Sequence, residues 1–217
     1  MKLAVLDTGG KEVRQIDVDD AVFGVEPNLA VVHQALIAQQ ANRRRGTAST
    51  LSRSQHSAAT TKSFRQKGTG RARMGARSSH VRVGGAVAFG PSPRSYKQRL
   101  PKKMRRLAIR SMLSQRASEG GLLVLDDPEF EPKTKSVSAL LDALGVERSA
   151  LIVTERSDAN LKLGIHNLYR METCPAATLS VEALLNHDHI IMTESAVRQA
   201  EALWGGDRAA TSRGKGA

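Results

Sequence analysis

The chain has 217 residues, of which 40% are hydrophobic and only 3% aromatic, and it carries a formal net charge of +12. This length allows one large domain or two small ones, and the hydrophobic content is enough for a core. No apolar run approaches the roughly 18 residues that span a bilayer, and Asp7 interrupts the short apolar start. The single cysteine, Cys174, excludes an internal disulfide. We therefore expect a soluble, cytoplasmic protein without a signal peptide.

The first part of the chain predicts two strands and a helix. Strands are expected at Lys2–Leu6 and Lys11–Val18, around a turn at Thr8–Gly10. Asn28 is expected to cap the helix that follows. The apolar stripe of this helix, at helical spacing, consists of Leu29, Val32, Leu36 and Ile37. The helix ends in Asn42–Gly46, whose three arginines either favour the helix dipole or make the first contacts with phosphate.

The charges of the chain are segregated. No acidic residue occurs between Glu26 and Glu119, and Pro27–Ser118 holds 20 of the 33 Lys and Arg residues. The rest of the chain carries 13 basic and 21 acidic residues, a net charge of −8. A surface that only has to stay soluble mixes its signs. So long a segment of one sign requires a polyanion, and nucleic acid is the obvious candidate.

Residues 46–96 are expected to form an extended basic loop that cannot build a core of its own. Leu51 is the only large aliphatic residue in Arg45–Ser63, so this part buries too little apolar surface to offset its ordering entropy. It should be mobile when free. The apolar residues of Val81–Phe89 indicate a part that becomes ordered in contact with a partner. A disordered basic linker is the alternative interpretation.

Two common nucleotide-binding loops do not fit this segment. A Walker loop places its lysine after the glycines, whereas Lys67 precedes Gly68. A dinucleotide-binding loop requires a third glycine where Arg73 stands, and no strand precedes it. We therefore expect arginines to bind RNA phosphates in a two-pronged manner and lysines to act as point charges on flexible backbone.

Pro101 is expected to begin a helix with one apolar and one basic face. The apolar stripe consists of Met104, Leu107, Ala108 and Met112. Lys102, Arg106 and Arg110 recur at every fourth position, and no acidic residue relieves the repulsion between them. A charged helix face is usually only solvated, but this one of a single sign favours an RNA-facing helix.

From Gly120 onwards, short apolar strands alternate with helices. Strands are expected at Leu122–Leu125, Ala150–Val153, Tyr169–Thr173 (a weak edge strand) and His189–Met192. Helices are expected at Lys135–Leu144, from Asp158 to about Asn167, at Val181–Leu185 and at Ser195–Trp204. This alternation predicts an α/β fold with a Rossmann-like, mostly parallel sheet and helices on both faces. One globular domain would comprise residues 1–45 and 97–204, and residues 205–217 would be a disordered tail.

The sequence shows no convincing catalytic or metal-binding pattern. The six histidines have no metal-ligand spacing with Cys174, and His187–His189 is better explained as a polar turn before a strand. Asp126 and Asp127 could hold Mg²⁺ at the end of a strand, but acids at such a corner more often accept backbone N–H groups. We expect no catalytic residue, no metal, no cofactor and no small-molecule substrate.

Three motifs follow one another in the basic part of the chain: Arg65–Arg73 (RQKGTGRAR), Gly84–Pro91 (GGAVAFGP) and Pro101–Ala108 (PKKMRRLA). They resemble the bacterial large-subunit ribosomal protein L-four family, and the resemblance extends more loosely over Met1–Trp204. Family members commonly carry Pro-Trp where Ser63-Phe64 stands. The resemblance implies a structural component of the large ribosomal subunit that binds 23S rRNA early in assembly.

The resemblance also implies a place for the loop and a set of partners. In that family the globular domain stays on the solvent side and the loop reaches the polypeptide exit tunnel. The matching tip residues are Gln66, Lys67, Gly68, Thr69, Gly70, Arg71, Ala72 and Arg73. The implied partners are 23S rRNA, neighbouring large-subunit ribosomal proteins and, for some members, the leader mRNA of their own operon. An RNA-modifying α/β enzyme and a non-ribosomal RNA chaperone, each with a basic substrate arm, are the alternative functions.

Together with the charge pattern, this identifies the residues expected to bind rRNA. They are Arg43, Arg44, Arg45, Arg53, Lys62, Arg65, Lys67, Arg71, Arg73, Arg77, Arg82, Arg94, Lys97, Arg99, Lys102, Lys103, Arg105, Arg106 and Arg110. All of them lie in the segment without acidic residues, so no carboxylate close in sequence competes with RNA phosphates for them.

Overall fold

The structure, a computed structural model, describes residues 1–146 and 148–205. These residues divide into two units, the α/β unit (residues 1–39 and from 99 onwards) and the basic unit (Gln40–Gln98). The predicted disordered tail, apart from Gly205, lies outside the described residues.

A six-stranded sheet forms the centre of the α/β unit. Its strands are β1 (Lys2–Leu6), β2 (Glu12–Asp17), β3 (Leu122–Leu125), β4 (Ala150–Thr154), β5 (Met171–Pro175) and β6 (His189–Thr193). The strand order is β2-β1-β3-β6-β4-β5. β1 and β2 pair antiparallel, as a short turn allows, and the other neighbours pair in parallel through longer connections. The predicted α/β fold with a mostly parallel sheet is confirmed.

Seven α-helices accompany these strands in the described part of the chain. They are α1 (Asp20–Phe23), α2 (Leu29–Arg43), α3 (Lys102–Ser118), α4 (Thr134–Ala143), α5 (Ala159–Ile165), α6 (Val181–Asn186) and α7 (Glu194–Trp204). The side chains of Asn28, Asp158 and Ser180 accept hydrogen bonds of 3.2, 2.9 and 3.2 Å from backbone N–H groups in the first turns of α2, α5 and α6. Each satisfies a donor that the helix itself leaves free.

Two hydrophobic cores cover the two faces of the sheet. On one face, Leu151 of β4 and Ile190 of β6 join the apolar sides of α1, α2, α3, α6 and α7. On the other face, Ile152 and Ile191 pack with α4 and α5. All five residues of β4 are buried, as expected for a parallel strand between two helix layers.

Helix α2 buries a different face from the predicted one. Val32, Ala35 and Ala38 are buried, whereas Leu29 is 68% and Ile37 is 42% exposed. The predicted stripe of large aliphatic residues was therefore wrong for two of its four members. A helix with alanines on its inner face packs close to its neighbours, and neighbours that are distant in sequence decide which face that is.

Smaller corrections concern α1, α3 and β5. Helix α1 was not predicted, because four residues are too few to show helical periodicity. In α3 the buried side chains include Ala108 and Met112 from the predicted stripe, whereas Met104 and Leu107 are only half-buried. Strand β5 begins two residues later than predicted, because Arg170 before it has a φ of 55°, outside the strand region.

Candidate nucleic-acid interface

The basic unit contains little regular secondary structure. After the last turn of α2 it consists of turns and extended segments, with one isolated antiparallel bridge between Lys62 and Ala76. Its buried side chains are small, namely those of Ala76, Ser78 and Ala86. Backbone hydrogen bonds and close turns, and not an apolar core, therefore define the path of this segment.

The bridge between Lys62 and Ala76 closes a loop that contains the predicted tip, Gln66–Arg73. Inside this loop, Arg65 Nη2 donates to the carbonyl oxygen of Gly68 at 3.0 Å, and Lys62 Nζ donates to the side-chain oxygen of Gln66. Gly68 and Gly70 have φ values of +80° and +64°. Residues other than glycine rarely adopt this backbone conformation, so both glycines are needed for the turn.

Arg82 lies outside the closed loop and donates hydrogen bonds to two residues within it. Its Nη1 donates to Ser63 Oγ at 2.9 Å, and its Nη2 donates to Met74 Sδ at 3.2 Å. The side chain of Arg82 is half-buried. Arg82 therefore stabilises the loop in addition to its predicted role in rRNA binding.

The two ends of the basic unit meet in a neck, which we define as residues 42–51 and 87–98. Backbone N–H groups of Thr50, Val87 and Arg94 donate across the neck, over distances of 3.0 to 3.3 Å. The side chain of Asn42 donates to the carbonyl oxygen of Gln98 at 3.2 Å and accepts from its N–H at 2.8 Å. The neck is thus a short paired segment.

Nearly all predicted rRNA-binding side chains are accessible. Of the 19, only Arg82, Arg106 and Arg110 are half-buried, and the others are exposed. Arg110 also has a buried Nε atom without a hydrogen-bond partner among the described residues. Thirteen of the 19 lie in the basic unit, and six, from Arg99 to Arg110, lie in the α/β unit. What these side chains bind stays a prediction at this point.

The first turns of α3 combine positive charge with an apolar cleft. Lys102, Arg105 and Arg106 line a cleft of about 340 Å³ together with apolar side chains. The apolar side chains include Ile109, Leu179, Leu203 and Trp204. No acidic residue occurs in the first turn of α3, so three adjacent cations share this edge. Such an arrangement attracts an extended anion.

Several apolar side chains of the basic unit point into solvent. Val81 and Val83 are exposed, and Phe89 is 108% exposed with a φ of 53°. Of the apolar cluster that was expected to order against a partner, only Ala86 is buried within the described chain. A bulky residue at positive φ is uncommon and carries backbone strain.

Comparison with known proteins gives the family. A family model described as "Ribosomal protein L4/L1 family" matches residues 16–203. This chain belongs to that family. The predicted family resemblance is confirmed. Because the family is structural and non-enzymatic, the absence of enzymatic activity is confirmed and the alternative of an RNA-modifying enzyme is wrong.

Three curated relatives agree over nearly their whole length, and each is named "Large ribosomal subunit protein uL4". The relative from Dehalococcoides mccartyi strain CBDB1 is 46% identical over 206 residues, 94% of this chain and 98% of the relative. That from Heliobacterium modesticaldum is 44% identical over 204 residues, covering 94% and 99%. That from Moorella thermoacetica is 43% identical over 201 residues, covering 92% and 97%.

In this ribosomal protein, Asp126 and Asp127 at the end of β3 already have hydrogen-bond partners within the chain. Arg14 Nη2 donates to Asp126 at 2.6 Å and to Glu194 at 2.5 Å. Asp127 accepts hydrogen bonds from the N–H and hydroxyl groups of Ser195. The hydrogen bond to Glu194, and then the charge of Asp126, raise the pKa of Arg14. The pair of aspartates therefore links the end of β3 to β2 and to the first turn of α7. The described residues contain no group of three or more potential metal ligands.

The histidine pair has an equally local explanation. His187 is buried, and its Nδ1 forms a 2.7 Å hydrogen bond with the carbonyl oxygen of Ala183. His189 begins β6.

Within residues 1–146 and 148–205, no helix is long and apolar enough to cross a membrane.

Sequence reasoning missed two polar residues of the neck. Asn42 closes the neck, and Tyr96 carries two guanidinium groups over its ring. An aromatic residue between Arg94 and Lys97, in a chain with only two tyrosines, was the available signal for Tyr96. Nothing in the local sequence of Asn42 distinguishes it from a helix-terminal polar residue.

Proposed function

We propose that this chain is a structural constituent of the large ribosomal subunit in the bacterial cytoplasm, where it binds 23S rRNA early in assembly. The observation that carries the proposal is the exposure of 16 cationic side chains on a segment without any acidic residue. The large-subunit names of relatives with 43–46% identity support it. RNA binding releases the counterions condensed on the phosphates, and this release supplies much of the affinity.

The proposal includes a division of labour along the chain. Residues 1–45 and 97–204 form one domain, and residues 46–96 project from it as an extended loop into the RNA. The part of the chain outside Pro27–Ser118 has a net charge of −8, so it is repelled by RNA and stays at the solvent side. The loop tip, Gln66–Arg73, then approaches the exit tunnel.

Two further partners belong to the proposal. The acidic, solvent-side part of the domain is suited to contact neighbouring ribosomal proteins. Unlike RNA, a protein partner need not be negatively charged, so it need not repel an acidic surface. The leader mRNA of its own operon would use the same cationic side chains as rRNA, because phosphate contacts carry no sequence information.

Salt dependence and sedimentation test the proposal. If about six to ten cations meet phosphates, the affinity for a 23S rRNA fragment should fall roughly 10³- to 10⁵-fold between 50 and 200 mM salt. The protein should also stay with the large subunit through a high-salt wash. A flat salt response contradicts phosphate binding, and release by the wash favours the non-ribosomal RNA chaperone instead.

A further inference from the structure

A cluster of cations surrounds one tyrosine in the neck. Cζ of Arg44 lies 3.8 Å and Cζ of Arg94 lies 4.5 Å from the centre of the Tyr96 ring. Arg44 and Arg94, with Arg45 and Lys97, line an open cleft of about 710 Å³. The basic unit contains no acidic residue, so none of its own carboxylates balances these four charges.

The backbone around the cleft leaves little freedom. Arg94 N–H donates to the carbonyl oxygen of Gly46 at 3.2 Å. A Cβ atom at position 46, where φ is +67°, would lie 2.0 Å from the carbonyl oxygen of Arg94 and 3.0 Å from the Tyr96 ring. Only glycine permits this approach. The two arms of the neck, residues 42–51 and 87–98, are therefore held close together. This brings their cationic side chains close to one another.

We propose that the neck cleft binds a phosphate group of the RNA backbone, and that this phosphate locks the two arms of the basic unit together. Like charges that the fold gathers repel one another, and an anion between them removes the repulsion. Guanidinium forks match the geometry of phosphate oxygens. The cleft is larger than one phosphate and fits a short stretch of nucleic acid, which favours an RNA phosphodiester over free phosphate. The RNA source rests on the proposed function.

Tyr96 is a positioning residue in this site. Cation–π contacts with its ring hold the guanidinium groups of Arg44 and Arg94 beside each other before any ligand arrives. A hydrogen bond from Arg94, followed by the charges of Arg94 and Arg44, lowers the pKa of Tyr96. A phosphate bound to these arginines opposes their effect, so its binding should raise this pKa again.

The first experiment titrates the full-length chain with inorganic phosphate, against sodium chloride at matched ionic strength, and follows amide exchange by NMR. With phosphate at about ten times its Kd, exchange of the Thr50, Val87 and Arg94 amides should slow about tenfold. Tyr96→Phe should keep the effect, and Tyr96→Leu should lose it although it removes no charge. Lys162→Gln, a charge loss at an exposed position of α5, should behave as wild type. Equal slowing by chloride, or an unchanged effect in Tyr96→Leu, overturns the site.

A second readout uses the tyrosine itself. In a Tyr169→Phe background, Tyr96 is the only tyrosine, so ultraviolet absorbance reports its ionisation alone. Phosphate should raise its pKa, and Arg44→Gln with Arg94→Gln should abolish the rise. No rise in the Tyr169→Phe protein overturns the site, whether or not the other variants fold.

Two further measurements distinguish an RNA phosphate from free phosphate, and failure of the neck site from failure of the proposed function. The trinucleotide UpUpU should bind the cleft more tightly than inorganic phosphate, because the cleft holds more than one group. Weaker binding of UpUpU overturns the RNA assignment in favour of free phosphate. Failure of the wild-type chain to bind any 23S rRNA fragment overturns the proposed function. Full rRNA and phosphate binding by Tyr96→Leu overturns only the neck site.

Discussion

Phe89 combines two unfavourable features that a free protein would not need. Its side chain is 108% exposed, and its φ of 53° lies in the left-handed region. Such a conformation costs about 1–3 kcal/mol for a residue other than glycine. In a segment of purely positive charge, an exposed ring is well placed to stack on an unpaired base.

Replacement of Phe89 tests whether the ring stacks on RNA. Phe89→Ala should weaken binding of a 23S rRNA fragment by about 1–3 kcal/mol, or roughly 5- to 150-fold, because base–aromatic stacking is lost. The slope of affinity against salt should not change, because no cation is removed. Phe89→Trp should retain the affinity. Equal binding by wild type and Phe89→Ala in an anisotropy titration would show that the ring contacts no base.

Cys174 should be unreactive despite its place on an edge strand. Burial, with a smaller effect from Glu172, raises the pKa of its thiol from 9.0 to about 11. The thiolate is the reactive form, and this rise in pKa lowers the thiolate fraction about 100-fold near pH 8. Alkylation by iodoacetamide should be at least about tenfold slower in the folded chain than in urea, because a thiolate of higher pKa is intrinsically more nucleophilic and offsets part of this loss. Similar rates in both would contradict the burial of the thiol.

The same shift predicts how stability depends on pH. The folded-state pKa of Cys174 lies above its unfolded value, so the thiol stabilises the fold fully below about pH 9. This contribution should be lost as the pH rises from about 9 to about 11, where only the unfolded state releases the proton. Cys174→Ala should flatten the fall in denaturation midpoint over this window.

At the scale of elements, the start of α3 is predicted to contact RNA, and this contact can be tested separately from the basic unit. Lys102, Lys103 and Arg105 are exposed, whereas Arg106 and Arg110 are half-buried and are better left intact. Changing the first three to Glu should weaken rRNA-fragment binding by at least about 100-fold, because attraction to phosphates becomes repulsion. The thermal transition should stay cooperative, because exposed side chains contribute little to the core.

A matched control makes this test specific. Lys135, Arg156 and Lys162 are exposed on the α/β unit and are not among the predicted rRNA-binding residues. Changing these three to Glu alters the net charge by the same amount. If this control weakens binding as much as the α3 variant, the effect comes from net charge, and α3 is not an RNA-facing helix.

The basic unit should be dispensable for folding of the α/β unit. No residue of either hydrophobic core lies within Gln40–Gln98. Replacing residues 46–96 by a Gly/Ser linker of about eight residues should leave a cooperative transition, with Tm unchanged or slightly raised. Shortening the connection lowers its closure entropy by about 1–2 kcal/mol. A calorimetric scan without a cooperative peak would show that the basic unit contributes to the core.

The sequence predicted those features that depend on neighbouring residues. Asn28 caps α2 as expected, through a contact within one turn that its position alone made readable. Asp158 and Ser180 cap α5 and α6 through equally local contacts. The buried face of α2 was not readable, because its packing partners lie far away in the chain. The same holds for the contact between Arg44 and Tyr96, which depends on how the neck closes.

At the scale of the whole molecule, charge segregation divides the chain by task. Of the 20 cations of Pro27–Ser118, 19 are predicted to face RNA, and the net charge of −8 on the remainder should discourage a second RNA contact. One chain can therefore enter RNA with one segment and leave a folded part outside. The length of the loop then limits how far its tip can reach into the RNA.

Chain length sets an upper bound on how far the proposed loop can carry its tip into RNA. About fifty residues allow about twenty-five in each direction, or at most roughly 80 Å at about 3.3 Å per residue. Residues near the middle reach farthest, and these are Gly68–Arg73, with positive φ at Gly68 and Gly70. We therefore expect Lys67, Arg71 and Arg73 to contact phosphates from the turns that these glycines form.

Charge reversal at Lys67 tests the assignment of the tip to the exit tunnel. Lys67→Glu places a carboxylate among phosphates, so it should displace the tip without unfolding the α/β unit. Ribosomes carrying this variant should assemble but respond differently to macrolides that bind in the tunnel. Lys162→Glu, the same charge change on α5, should leave the response unchanged. A photo-cross-linker at Thr69 should react with a stalled nascent chain in otherwise wild-type ribosomes. An unchanged drug response together with no cross-link from any residue of Gln66–Arg73 would leave only a peripheral rRNA-binding role.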